Sequence, residues 1–369
     1  MEAKQASTDH VVVEGLVKWF GTDLAVDHLS FSVPKGNFLT LLGPSGCGKT
    51  TTLMSIAGLY RIDDGEIRVG GVPYSSAASG AFLAPEKRDI GMVFQSYAIW
   101  PHMTVAQNVA YPLEIRGVEP AEVASRVANV LRLVGLGQMA GKLATQLSGG
   151  QQQRAALARA IISLPRLLLF DEPLSNLDLK LREQMRVELK RIQSEVGITS
   201  IYVTHDQVEA LVMSDEIIVM SKGRMQQKGN PREIYFRPVN SYVSNFIGVA
   251  NLLKGRVLRV NGTKQGEFEI FQGGRRIQVA CQLGDGVAAG EEAILSVRPE
   301  HVQIRREEGG EVSIEGEVLQ AIFLGNCIDC RVRWGEYEWK VLAHPRAQLR
   351  SGDKVYLSLD PQHALALHP

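Results

Sequence analysis

Gly43-Pro44-Ser45-Gly46-Cys47-Gly48-Lys49-Thr50 is the stretch from which the rest of the chain is read. It fits the pattern G-x-x-x-x-G-K-[ST], and the segments on either side suit it. Phe38-Leu39-Thr40-Leu41-Leu42 before it is a mostly apolar run that predicts a buried strand. Thr51-Thr52-Leu53-Met54-Ser55-Ile56-Ala57-Gly58 after it predicts a short helix stopped at glycine. Glycines in the loop let backbone N–H groups turn inward around phosphates, and the helix N-terminus adds its partial positive charge. Lys49 would reach the β- and γ-phosphates, and the Thr50 hydroxyl would ligate Mg²⁺. A chance glycine-rich turn needs no strand and helix in this order. The expectation is a nucleoside triphosphate site.

At 369 residues the chain has room for two domains or one large one. Lys+Arg and Asp+Glu are both 40, so the formal net charge is zero and gives no electrostatic case for nucleic acid as a partner. Met1-Glu2-Ala3-Lys4-Gln5-Ala6 has no apolar h-region, so no secretory signal is read there. No stretch approaches the ~18 apolar residues that a spanning helix needs. Four cysteines, one inside the phosphate loop, suit a reducing compartment better than a disulfide framework. Cys327 and Cys330 form a C-x-x-C with no second pair to complete a tetrahedral site. In a strand, residues three apart face opposite sides, so this pair reads as structural.

Up to about Arg237 the pattern alternates strands with helices, which predicts an α/β domain with a mostly parallel sheet. Val105 to Leu164 is largely helical in pattern, with Ala121-Glu122-Val123-Ala124-Ser125-Arg126-Val127 amphipathic, and reads as a helical subdomain inserted between two strands. Asn240-Ser241-Tyr242-Val243-Ser244-Asn245-Phe246-Ile247 reads as a connecting helix. Beyond it, runs such as Glu267-Phe268-Glu269-Ile270-Phe271 and Lys354-Val355-Tyr356-Leu357-Ser358-Leu359, with glycine pairs at Gly273-Gly274 and Gly309-Gly310, predict a separate all-β barrel or sandwich. The domains expected are 1–240 and 241–369.

Two more motifs carry chemistry. Leu167-Leu168-Leu169-Phe170-Asp171-Glu172 is a buried strand ending in two carboxylates. With a phosphate loop upstream, Asp171 would hold Mg²⁺ and Glu172 would polarise the attacking water; alone it would be an acidic loop after a core strand. Leu147-Ser148-Gly149-Gly150-Gln151 opens the helix Gln152-Gln153-Arg154-Ala155-Ala156-Leu157-Ala158-Arg159-Ala160. A serine and two glycines at a helix start make either an anion site or a well-capped beginning.

Together these motifs resemble the ATP-binding subunit of ABC transporters, over nearly the whole chain. The first part is similar to the ABC-type nucleotide-binding domain of the P-loop NTPase fold. The rest is similar to the OB-like C-terminal regulatory domain of maltose-, polyamine- and iron-type importers. The resemblance implies ATP and Mg²⁺, with Gly43 to Thr50 and Thr51 around the phosphates. It implies that Gln95, in Val93-Phe94-Gln95-Ser96-Tyr97, senses Mg²⁺ and the transmembrane partner. Ser175-Asn176-Leu177-Asp178 matches the D-loop, with Asn176 where the family more often has alanine, and places Asp178 at the nucleotide site. His205, in Val203-Thr204-His205-Asp206, matches the switch histidine that contacts the γ-phosphate. Phe20 stands where the family stacks an aromatic on adenine; the alternative is a ring in the core of a small β-subdomain.

The resemblance further implies a head-to-tail homodimer in which Ser148, Gly149, Gly150 and Gln151 of one protomer complete the ATP site of the other. It implies membrane permease subunits, a periplasmic or lipid-anchored solute-binding protein, and a peripheral position on the cytoplasmic face of the membrane. Tyr97-Ala98-Ile99-Trp100-Pro101-His102-Met103, aromatic beside a rigid proline, is the expected dock for a permease helix if it is exposed; the alternative for Trp100 is packing within the helical subdomain. Phe94 to Val105 and Leu295-Ser296-Val297-Arg298-Pro299-Glu300-His301 look more like the iron and polyamine branch than the sugar branch. A soluble ABC ATPase acting on nucleic acid or ribosomes is the rival from another class, but it usually carries two nucleotide-binding halves or a long coiled coil. An exporter ATPase typically lacks such a β-rich tail, and regulation through that tail would add to transport.

Overall fold

The computed structural model describes residues 9–369 except 263, 273–274 and 310–312. Met1–Ala6, the Gly273-Gly274 pair and Gly310 therefore lie outside the described residues. The chain divides into two compact units, one ending at Pro231 and the other running from Arg232 to Pro369.

In the first unit the strands are β1 (Asp9–Phe20), β2 (Asp23–Pro34), β3 (Phe38–Leu42), β4 (Asp64–Val69), β5 (Val72–Ser76), β6 (Ala81–Phe82), β7 (Ile90–Val93), β8 (Leu167–Asp171), β9 (Thr199–Thr204), β10 (Glu216–Ser221) and β11 (Arg224–Gly229). They build two sheets. The larger has the order β11-β10-β3-β9-β8-β7, parallel from β10 to β7 with β11 antiparallel at one edge. Strands β3 and β9 are buried at every residue: β3 reads as a mostly apolar run, and the polar residues of β9 are enclosed with its apolar ones.

Successive side chains of these strands enter different cores, as a period of two dictates. Phe38, Phe170 and Tyr202 face one way, where their rings meet at 5.6–6.1 Å beside the helices. Leu39, Leu41, Leu167, Leu169, Ile201 and Val203 face the other, against the smaller sheet.

That smaller sheet, β2-β1-β4-β5-β6, is antiparallel and begins with a hairpin between β1 and β2. It adds an antiparallel layer to the alternating pattern read from the sequence. Between β7 and β8 lie α2 (Val105–Ile115), α3 (Pro120–Leu133) and α4 (Gly149–Ile161), the expected inserted helical subdomain. Helix α2 starts at a reciprocal cap: Gln107 N–H donates to Thr104 Oγ1 (3.2 Å), and Thr104 N–H donates to Gln107 Oε1 (2.8 Å). The remaining helices are α1 (Lys49–Ala57), α5 (Leu179–Val196) and α6 (Gln207–Met213).

The second unit opens with α7 (Pro231–Phe236) and α8 (Ser241–Phe246). It continues through β12 (Asn251–Asn261), β13 (Gln265–Gln272), β14 (Arg275–Leu283), β15 (Glu292–Val297), β16 (Val302–Arg305), β17 (Ile314–Phe323), β18 (Ile328–Trp334), β19 (Tyr337–Ala343), β20 (Lys354–Leu359) and β21 (Ala364–Leu367). Strands β12-β13-β14-β21-β15 close a barrel, and β16-β20-β17-β18-β19 form a second sheet over the same apolar core. This is the all-β domain expected from the sequence.

The unit boundary precedes the line drawn at 240, and the reason is Arg298. Its guanidinium donates to the carbonyls of Tyr235 (3.2 Å), Ser244 (2.9 Å) and Val249 (3.2 Å), tying α7 and α8 to the barrel. Cys330 lies in the core of this unit with its thiol pushed up to about 11 by burial, so it packs as an apolar side chain. Cys327 precedes β18 rather than lying in it.

Candidate functional site

The site forms where β3, β8 and β9 end on one edge of the parallel sheet. The loop after β3 is sterically confined to glycine at two points. A Cβ on Gly43 would fall 2.5 Å from both Cys47 Sγ and the Met220 carbonyl. Gly48 has φ 98°, and a Cβ there would meet the Ala25 carbonyl at 2.4 Å. Helix α1 starts directly after it, so its first N–H groups have no acceptor within the helix. Lys49 Nζ folds back into the loop and donates to the carbonyls of Gly43 (2.8 Å) and Pro44 (2.9 Å). The Cys47 thiol is buried beneath, and burial raises its pKa.

Thr50 Oγ1 donates to Asp171 Oδ1 at 3.0 Å, which joins the loop to the end of β8. Burial raises the Asp171 pKa, and the Thr50 hydrogen bond opposes that rise. The next residue, Glu172, has a left-handed backbone (φ 43°), with its N–H donating to the Val203 carbonyl of β9 at 3.1 Å. This bend directs the Glu172 carboxylate towards β9, where Oε2 lies 3.0 Å from His205 Nδ1.

The structure thus links Lys49, Thr50, Asp171, Glu172 and His205 at one sheet edge. Hydroxyl and carboxylate oxygens at hydrogen-bond distance are the hard donors that Mg²⁺ takes, with phosphate oxygens and water filling its other positions. No cluster of three or more His, Cys, Asp or Glu that could hold a metal is found among the described residues.

Gln95 follows β7 with its side chain exposed, and its carbonyl accepts from Asn176 Nδ2 at 2.9 Å. Asp178 caps α5, its Oδ1 accepting from Leu181 N–H at 3.0 Å. Phe20, at the end of β1, is 44% exposed and meets Tyr60 edge-on at 5.2 Å. It is therefore an exposed aromatic and not a core one. Ser148 N–H donates to Gln151 Oε1 (3.0 Å) at the start of α4. Behind it, Cβ atoms on Gly149 and Gly150 would come within 3.3 Å of Leu177 and 3.0 Å of Leu181. These contacts join Ser148–Gln151 to the D-loop and α5.

In the expected docking segment, the Tyr97 ring is buried in the helical core, whereas Pro101 and His102 are exposed. Trp100 packs on Tyr111 with ring centroids 4.5 Å apart.

Sequence reasoning missed the supports of His205. Asp206 caps α6 through the N–H groups of Val208 (2.8 Å) and Glu209 (3.1 Å), and its other oxygen takes Arg186 at 3.3 Å. Buried Glu209 accepts from Tyr202 (2.8 Å) and Thr204 (2.7 Å), which pins the strand end that precedes the histidine. The signal available was Tyr202 and Thr204 alternating with apolar residues in a strand buried on both faces.

The ABC transporter family profile matches residues 26–175, and the TOBE domain profile matches residues 295–367. The chain is 43% identical over 364 residues to the spermidine/putrescine import ATP-binding protein PotA of Rubrobacter xylanophilus, covering 97% of this chain and 93% of that one. It is 38% identical over 367 residues to the Fe(3+) ions import ATP-binding protein FbpC of Pasteurella multocida, covering 99% of both. It is 48% identical over 285 residues to the trehalose/maltose import ATP-binding protein MalK of Thermococcus litoralis, covering 77% and 76%. Among solved structures it is similar to cbiO1 of Clostridium perfringens, part of the ABC transporter complex cbiONQ. There the TM-score is 0.56 at 28% identity, covering 61% of this chain and 90% of that one. No helix among the described residues is long and apolar enough to cross a membrane. The chain belongs to the import ATP-binding subunits of ABC transporters, ATPases whose activity is coupled to transport.

Proposed function

We propose that this subunit hydrolyses MgATP at the edge of β3, β8 and β9, and that a second copy of the chain completes each site. The observation that carries the reading is the pairing there of Thr50 with Asp171 and of Glu172 with His205. Lys49 exchanges its two loop carbonyls for the β- and γ-phosphates, and the N–H groups at the start of α1 hold the phosphate oxygens. Thr50 and Asp171, with Gln95, would hold Mg²⁺, which would neutralise charge on the phosphates. Glu172 takes a proton from the attacking water, and His205 orients that carboxylate and faces the γ-phosphate. Phe20 stacks on adenine at the rim. Ser148, Gly149, Gly150 and Gln151 of the partner protomer close the other side, with Asp178 at the seam. ATP binding then stores energy as dimer closure, which hydrolysis releases to the permease subunits.

Glu172→Gln tests this. It should keep ATP binding, lose turnover by orders of magnitude, and accumulate an ATP-dependent dimer in gel filtration. Parental turnover in that variant would return the carboxylate to a structural role.

The cargo we infer is a small cation, a polyamine or ferric iron, delivered by a periplasmic or lipid-anchored binding protein to permease subunits at the cytoplasmic face. The support is that the polyamine and iron relatives align over nearly the whole chain, whereas the sugar relative covers 77% of it. The test is ATPase stimulation of the reconstituted complex by binding protein loaded with each solute in turn. Stimulation by a neutral oligosaccharide alone would overturn the cargo and leave the ATPase role intact.

A further inference from the structure

The segment after Gln95 is bent in a way that hydrolysis alone does not call for. Tyr97 and Ala98 have φ of 62° and 47°, the one consecutive left-handed pair of non-glycine residues among the described residues. Residues with a Cβ disfavour this conformation and keep it where the surroundings impose it. Here the imposing group is Arg159 of α4. Its Nη1 donates to the Ala98 carbonyl at 2.7 Å and its Nη2 to the Tyr97 carbonyl at 2.9 Å. The same guanidinium carbon lies 4.7 Å from the centre of the Trp100 ring.

Asn108 of α2 fixes the other end of the bend. Its Oδ1 accepts from Trp100 N–H (2.9 Å), and its Nδ2 donates to the carbonyls of Trp100 (3.1 Å) and Thr104 (3.1 Å). Burial lowers the Arg159 pKa, with no carboxylate acting on it. A desolvated cation held, among the described residues, by two carbonyls and a ring makes sense where a planar fork must fix two acceptors at once; a lysine ammonium cannot reproduce that geometry.

Helix α4 is also the helix that begins at Ser148-Gly149-Gly150-Gln151. One rigid element therefore carries the serine-glycine turn at its start and the Arg159 fork near its end. We propose that Arg159 is a positioning residue that holds the bend after Gln95 in register with α4, so that Gln95 and the serine-glycine turn move as one body when the ATP site closes. The proposal rests on the role given to Gln95 above.

The experiment is steady-state ATP turnover of the chain reconstituted with its permease subunits and binding protein. It compares the parent with Gln95→Ala, Arg159→Gln, Arg159→Lys and the double variant Arg159→Gln/Ala98→Gly, with thermal melts run alongside. Arg159→Gln and Arg159→Lys should each lower kcat by about tenfold, with KM for ATP within about twofold of the parent, because geometry rather than nucleotide affinity is lost. Adding Ala98→Gly should restore part of that kcat, since glycine adopts the bend without help. Arg159→Lys keeps the charge and most of the stem, so it serves as the test if Arg159→Gln does not fold. A parental kcat in Arg159→Lys while Gln95→Ala is impaired would overturn the proposal and spare the Gln95 role. Absence of any recovery with Ala98→Gly would also overturn it, assigning Arg159 to packing. A parental kcat in Gln95→Ala would remove the Gln95 role, and this proposal with it.

Discussion

Replacing Arg88 with methionine tests how the phosphate loop is braced from behind. Arg88 is fully buried, and its guanidinium makes five donations. Nη1 goes to the Ser55 (3.0 Å) and Ile56 (2.7 Å) carbonyls, Nη2 to the Tyr74 carbonyl (3.0 Å) and Ser75 Oγ (2.8 Å), and Nε to the Leu83 carbonyl (2.7 Å). It thereby gathers the end of α1, strand β5 and the turn before β7, and α1 is the helix that starts in the phosphate loop. Methionine fills a similar length without a donor. At about 1 kcal/mol net per bond the five donations amount to about 5 kcal/mol. The cost of burying the guanidinium, seen in a pKa pulled down to about 10, offsets about 3 kcal/mol of this. The net loss is about 2 kcal/mol, which for a unit of this size lowers Tm by about 4–8 °C. Differential scanning calorimetry of the purified chain, with and without MgATP, measures it. Arg88→Lys, with fewer donors, should fall between. A Tm within about 2 °C of the parent for Arg88→Met would refute this bracing role.

Other outcomes follow from the same geometry. Asp171→Asn should weaken Mg²⁺-dependent ATP binding by about tenfold or more; unchanged Mg²⁺ titrations would take Asp171 out of the metal site. Mixing Lys49→Ala with Gly150→Asp chains should restore roughly a quarter of parental turnover, because half of the dimers regain one intact site. Recovery at background level would mean that each chain builds its site alone. Burial raises the Glu209 pKa above the ordinary carboxylate value, so the folded chain keeps that proton to higher pH than the unfolded one. Stability from this group is therefore full below the unfolded pKa and is lost as pH rises through the folded one. Glu209→Gln should flatten that decline in denaturant melts, and an unchanged slope would show that Glu209 does not cause it.

The parts legible in the sequence are those where chemistry fixes residue types at contiguous spacing. Gly43 to Thr50 between strand and helix, Asp171-Glu172 at a buried strand end, and His205 after Val203-Thr204 fall together at one sheet edge. The inserted helices and the β-rich tail were legible from the change in period alone.

What stayed hidden is what depends on partners remote in sequence or on backbone. The pairing of β1 with β4 crosses the phosphate loop, so no local pattern announces that these two strands lie side by side. Arg88, Arg159 and Arg298 all donate to main-chain carbonyls, which carry no residue signature, and an arginine is by default a surface residue. The line at 240 missed Arg298 for this reason: nothing in its neighbours says that it reaches back to Tyr235.

The most direct test of the account is ATP hydrolysis by Lys49→Ala, with ATP binding measured on the same preparation. Lys49 is the side chain that the loop folds around, at 2.8 and 2.9 Å from its own carbonyls, and it is the loop's one cationic group. The account predicts turnover at background, weakened ATP affinity and a melt close to the parent's without nucleotide. Near-parental turnover in a folded Lys49→Ala chain would contradict it, because hydrolysis would then not depend on this loop.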